Sequence, residues 1–144
     1  MILFCTLALI TYGQDRLSAT KGDVMFDGYD PVSYFDGNPE RGKNYISTMV
    51  EGRKILFVSN ENKERFLNKQ ERFFPEYGGW CAIAMVDGSF VIPDYSLYKI
   101  QEDRLLFFSV RAFFNGLTEW EKQPDKNLIK ADSNFMQYFP GKVK

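Results

Sequence analysis

The chain has 144 residues, 18 basic against 19 acidic side chains, 17% aromatic residues and no histidine. That length is one domain, long enough to bury roughly two thirds of its unfolded surface. Balanced charge without a basic stripe argues against DNA, RNA and anionic membrane surfaces as partners. The missing imidazole excludes Ser-His-Asp and Cys-His catalysis and histidine ligation of zinc, copper or haem.

Residues 2–12 form an uncharged apolar run, too short to span a bilayer as a helix and fitting the apolar part of a secretory signal. Gly13-Gln14-Asp15 then turns abruptly polar, which predicts a mature start between residues 13 and 18. This reading gives residues 1–14 to the signal and 15–144 to an exported domain, periplasmic or secreted, with no stable membrane insertion once the signal is removed. No Lys or Arg precedes the run, and an apolar core strand is the alternative.

Gly28-Tyr29-Asp30-Pro31 reads as a turn, because Asp30 can bond its own backbone and Pro31 fixes φ. Residues 32–35 resume an extended apolar stretch, and Asp36-Gly37-Asn38-Pro39 is a second turn. Residues 45–50 and 54–58 predict a hairpin around Glu51-Gly52. Ser59 or Asn60 caps the next helix, on which Phe66 and Leu67 face inward, and Pro75 stops any helix before it. Residues 81–86 and 89–92 predict a second hairpin reversed at Asp87-Gly88. Residues 98–101 and 104–108 predict a third. After Pro124, the spacing of Leu128, Ala131 or Asp132, Phe135 and Phe139 predicts a helix. The expected class is α+β: a small single domain of antiparallel β-hairpins with a short central helix and C-terminal helices.

If the leader is removed, Cys5 leaves with it and Cys81 has no internal disulfide partner. Cys81 is then buried and inert, paired with another chain, or functional. Gly78 and Gly79 open the backbone beside it, either for a ligand or simply for a bulge. Met85 could add a soft donor, but four residues of strand would hold it about 13 Å away. Met25 or Met49 could approach from other segments, and both also serve as core fillers. Asp30 reads as a turn bracket or as an acid–base group. Tyr29, Tyr34, Tyr77 and Trp80 read as a flat-sided pocket or as core, and Asp132 as a cap or a buried hydrogen-bond partner.

Two motifs, Gly28-Tyr29-Asp30-Pro31-Val32-Ser33-Tyr34-Phe35 and Tyr77-Gly78-Gly79-Trp80-Cys81-Ala82, resemble the YHS domain in its exported form, usually GYDPVAYF followed by YGGYCA. Phe57-Val58-Ser59, Phe66 leading to Pro75, and Ala131-Asp132 also match, so the resemblance runs from about residue 22 to residue 135. It implies a binding or accessory module rather than an enzyme, with no catalytic residue assigned. The expected activity is handling of a small ligand or a soft metal such as copper at Cys81, with Tyr29, Asp30, Tyr34, Gly78, Gly79 and Trp80 as ligand-binding neighbours. Metal-binding members use further cysteine or histidine ligands, which this chain lacks. The chain also has Glu102-Asp103 where the family usually has Asp-Gly. Two rival readings stay open: mixed disulfides formed through Cys81 with a partner or small thiol, and an interaction domain in which Cys81 is buried.

Overall fold

The two longer hairpins form where β-branched and aromatic residues flank residues that accept a left-handed backbone. The computed structural model describes residues 15–18 and 23–144, so the leader reading, with Cys5, lies outside the described residues. Strand β1 (Lys43–Val50) pairs antiparallel with β2 (Arg53–Phe57), reversing at Glu51 and Gly52 with φ of 49° and 77°. Strand β3 (Asp94–Gln101) pairs with β4 (Arg104–Phe108), reversing at Glu102 and Asp103 with φ of 52° and 58°. Positive φ at both central residues is the reversal that matches strand twist. The second hairpin makes it without glycine. A short third pair, β5 (Val110–Arg111) and β6 (Phe114–Asn115), follows directly.

Helix α1 (Asn60–Asn68) starts where Ser59 Oγ accepts the Asn62 N–H at 3.1 Å. It buries Asn62 and Phe66, four residues apart. Leu67 was expected to face inward with Phe66, but it is 50% exposed. Adjacent helical residues point about 100° apart, so one inward position excludes the other on a narrow face. Helix α2 (Gln70–Phe73) ends before Pro75. Helix α4 (Gly116–Trp120) is capped by Asn115, and α5 (Pro124–Tyr138) carries Pro124 in its first turn and buries Leu128, Ala131 and Phe135. The architecture is the expected α+β class. Among the described residues no helix is long and apolar enough to cross a membrane.

One expected hairpin is absent. Residues 82–85 are the helical turn α3 (Ala82–Met85) instead of a strand. Asp87-Gly88 ends that turn: Gly88 has φ of 72° and donates to Met85 O at 2.9 Å, while Ser89 donates to Ala84 O at 3.0 Å. That pair of bonds is a Schellman stop. The same Asp-Gly pair serves a hairpin or a helix end, and the good helix formers Ala82, Ala84 and Met85 select the second. The chain still returns beside Cys81, whose N–H donates to Val91 O at 2.9 Å.

Strand β4 divides the interior. Leu105 and Phe107 point into a cluster with Phe26, Val32, Tyr34, Ile55, Phe57 and Phe66. Leu106 and Phe108 point the other way, towards Met85, Trp120, Leu128 and Phe135. Side chains alternate along a strand, so a continuous apolar run serves two cores at once.

Candidate functional site

The first motif enters through the 3-10 turn Met25–Gly28. Asp30 is fully buried and accepts three hydrogen bonds from the fold. Oδ1 accepts the Val32 N–H at 2.8 Å. Oδ2 accepts the Val58 N–H at 2.9 Å and Asn62 Nδ2 at 2.8 Å. One carboxylate thus closes its own turn and ties it to the end of β2 and the first turn of α1. Tyr34 donates to Tyr95 O at 2.7 Å and packs edge-on to Tyr98 and Phe107, with centroids 4.9 and 5.1 Å away. Burial pushes the Tyr34 phenol well above its ordinary pKa, and burial takes Tyr95 up to about 12. Both are neutral hydrogen-bonding groups near pH 7. Tyr29 stays half-buried, with the Arg41 guanidinium 4.8 Å above its ring.

The second motif contains three consecutive left-handed residues, Tyr77, Gly78 and Gly79, with φ of 55°, 63° and 86°. This geometry presents Gly78 O to Ser18, which donates its N–H at 2.9 Å and lies 3.2 Å away through Oγ. Ser18 Oγ also meets Tyr95 OH at 2.9 Å. Trp80 Nε1 donates to Asp15 O at 3.1 Å and Arg16 O at 3.2 Å. The double glycine and the tryptophan therefore clasp residues 15–18. A Cβ on Gly79 would stand 2.6 Å from Ser18 Oγ and 3.0 Å from the Phe26 ring. Gly79→Ala combines a left-handed alanine with crowding against the clasp and should destabilise by roughly 1–3 kcal/mol. Denaturant unfolding checks this; an unchanged midpoint and slope would remove the conformational role of Gly79.

Cys81 stands immediately before α3, makes no side-chain capping bond to it, and has no exposed surface. Its sulfur accepts the Ser109 N–H at 3.2 Å, and its thiol donates to Ser109 Oγ at 3.3 Å. Ser109 in turn helps line a surface recess of about 680 Å³, together with Ile83, Val91, Arg111, Lys122 and Asn127. Ser109 thus touches both the recess and the sulfur, while Cys81 itself is not part of the lining. The helical turn also cancels the 13 Å argument against Met85, since residues four apart on a helix are about 6 Å apart. The sulfur is nevertheless already hydrogen-bonded to Ser109 as both donor and acceptor, and among the described residues no group of three or more Cys, Asp or Glu side chains could hold a metal.

The expected neighbours fall into two groups: Tyr29 packs on Tyr34 with centroids 6.0 Å apart, and Gly78, Gly79 and Trp80 meet at residues 15–18. Tyr95 joins Tyr34 to the Gly78–Ser18 clasp. Tyr29 pairs with Arg41, Asp30 lies at the α1 end, and Trp80 packs on Phe90 with centroids 5.7 Å apart. A second recess of about 550 Å³ is lined by Gly78 of this set, with Arg16, Glu51, Phe74, Glu76 and Lys144.

Sequence reasoning missed the charged groups beside that recess. Arg104 opens β4 and is buried; it donates to Glu76 Oε2 at 3.0 Å and to Asp132 at 2.6 and 3.0 Å. Tyr77 OH donates to Asp132 at 2.7 Å, and burial together with that carboxylate raises the phenol's pKa. The Arg104 pKa is raised as well: burial pulls it down, but hydrogen bonds to Asp132 and Glu76 outweigh burial. The available signal was a charge beside apolar or aromatic residues: Arg104 before Leu-Leu-Phe-Phe and Glu76 inside Pro-Glu-Tyr. Asp132, expected as a cap or a buried hydrogen-bond partner, is a hydrogen-bond partner that is only partly buried, with its side chain 19% exposed. Comparison of the chain with protein-family models, curated proteins and solved structures found no match in any of the three.

Proposed function

We propose that this chain is a non-catalytic binding or accessory module of the YHS type in which Cys81 has a structural role. The observation that carries this reading is the two-way hydrogen bonding between the buried Cys81 sulfur and Ser109. Thiolate chemistry needs access, and the Cys81 sulfur has no exposed surface. Asp30 and Tyr34 support the same reading, because their polar atoms hold turns and strands together. The recess in front of Ser109 favours uptake of a small ligand there, being of ligand size with apolar Ile83 and Val91 beside polar Asn127 and Lys122.

Titration of the full chain and its Cys81→Ser variant with Cu(I) tests the reading. Equal uptake by the two is expected. Loss of one tightly held equivalent in the variant would return the protein to soft-metal handling. If residues 2–12 direct export, the clasp also sets where cleavage is tolerated: Leu17 and Ser18 are buried, so the mature chain keeps residues 15–18.

A further inference from the structure

In the recess beside Gly78, one oxygen of a deeply buried carboxylate accepts no hydrogen bond. The Glu76 side chain is 1% exposed; Oε2 accepts Arg104, while Oε1 has no hydrogen-bond partner. Facing Oε1 at 3.5 Å is the Lys144 ammonium, which also donates to Arg72 O and Phe74 O, both at 3.0 Å. Two carbonyl oxygens and a carboxylate oxygen around one ammonium match its three N–H donors.

Charge gives this arrangement its direction. Arg104 supplies one positive charge to two carboxylates, Glu76 and Asp132. The buried group is therefore one negative charge in excess until Lys144 enters. A buried carboxylate left in that state is costly, so the seat favours a cation. Lys144 itself fits only with strain on its charge: desolvation lowers its pKa, with Glu76 opposing that shift. It is also the residue on the solvent side of the cluster, 30% exposed, at the end of a segment that turns through Gly141 with φ of 74°.

We propose that Arg72 O, Phe74 O and Glu76 form a binding seat for a primary alkylammonium group, which Lys144 occupies from within the chain. An external amine, either a free alkylamine or a lysine side chain presented by a partner, takes the seat when residues 141–144 move away. With residues 141–144 moved away, Phe74 and Val50 remain as a wall for the methylene stem, and Glu51 and Glu71 belong to the same lining. This site is separate from Cys81 and stands independently of the reading given to that thiol.

The test is NMR titration of the full chain, Lys144→Met, and Lys144→Met/Glu76→Gln with n-butylamine, at a pH where the amine is protonated. Nα-acetyl-lysine methylamide is run beside it to separate a free amine from a lysine side chain, and n-butanol controls for the apolar stem. Lys144→Met should bind n-butylamine at least tenfold more tightly than the parent, with shifts centred on residues 72–76. Adding Glu76→Gln should lose that gain. Tighter binding of the acetyl-lysine probe would identify the lysine side chain as the favoured source. Glu76→Gln also removes an Arg104 partner, so Lys144→Arg serves as a second comparison: a guanidinium still pairs with Glu76 and should leave n-butylamine bound no more tightly than in the parent. Equal amine affinity in parent and Lys144→Met, or equal response to n-butanol, would overturn the proposal and leave Lys144 as a structural clamp.

Discussion

Asp30→Ala is expected to cost about 3–6 kcal/mol: two buried donors lose their acceptor at about 1–3 kcal/mol each, and the partly buried Val58 N–H loses less. The substitution strands the Val32 and Val58 N–H groups and the Asn62 amide. These donors belong to the 30–33 turn, the end of β2 and the start of α1, so three elements lose their common anchor. Total stabilities of small domains are about 5–15 kcal/mol, and this loss would leave the variant barely folded at room temperature. Asp30→Asn keeps Oδ1 as an acceptor but turns an amide towards other donors, and should fall between the parent and alanine. Urea unfolding of the three proteins reads the order directly. An alanine variant within about 1 kcal/mol of the parent would show that water satisfies the stranded groups, and would reopen Asp30 as a functional carboxylate.

Arg104→Met is the second large effect, at about 3–5 kcal/mol. Methionine fills a similar volume, so what is lost is the charge held between Glu76 and Asp132. The cost comes from two carboxylates left facing each other and Lys144, one of them almost wholly buried. Adding Glu76→Gln to Arg104→Met should recover part of the loss, because the neutral amide no longer needs a cation. Thermal or denaturant unfolding of the single and double variants gives the coupling. An additive double variant, more unstable than either single one, would mean that Glu76 and Arg104 act separately.

What the sequence revealed and what it hid follow one physical division. The β1–β2 and β3–β4 hairpins and α5 were legible because strand alternation, positive-φ turn residues and helical spacing are local signals. Helix α3 was misread for a local reason too: Asp87-Gly88 supplies one left-handed residue, and either a hairpin or a Schellman stop can use it. The helix formers Ala82, Ala84 and Met85 decide for the helix stop, a cue the Asp-Gly pair overshadowed. At the candidate site, the motifs picked out Asp30, Tyr34, Gly78, Gly79 and Cys81 as residues with specific duties. The duties themselves depend on partners far along the chain: Tyr95 for Tyr34, Ser18 for the glycines, Ser109 for Cys81. Glu76 and Lys144 lie 68 positions apart and carry no motif between them, so no reading of spacing could join them.

The central claim is that Cys81 works as a buried hydrogen-bonding group. The direct measurement is its alkylation rate by iodoacetamide in the native full chain, followed by mass spectrometry of the Cys81 peptide so that Cys5 does not contribute. Burial against Ser109 predicts a native rate at least a hundredfold below that of the unfolded chain, unchanged by Cu(I) and rising in step with global unfolding as denaturant is added. A native rate close to the unfolded one, or protection that appears only when Cu(I) is present, would contradict the account and place the thiol at a working site.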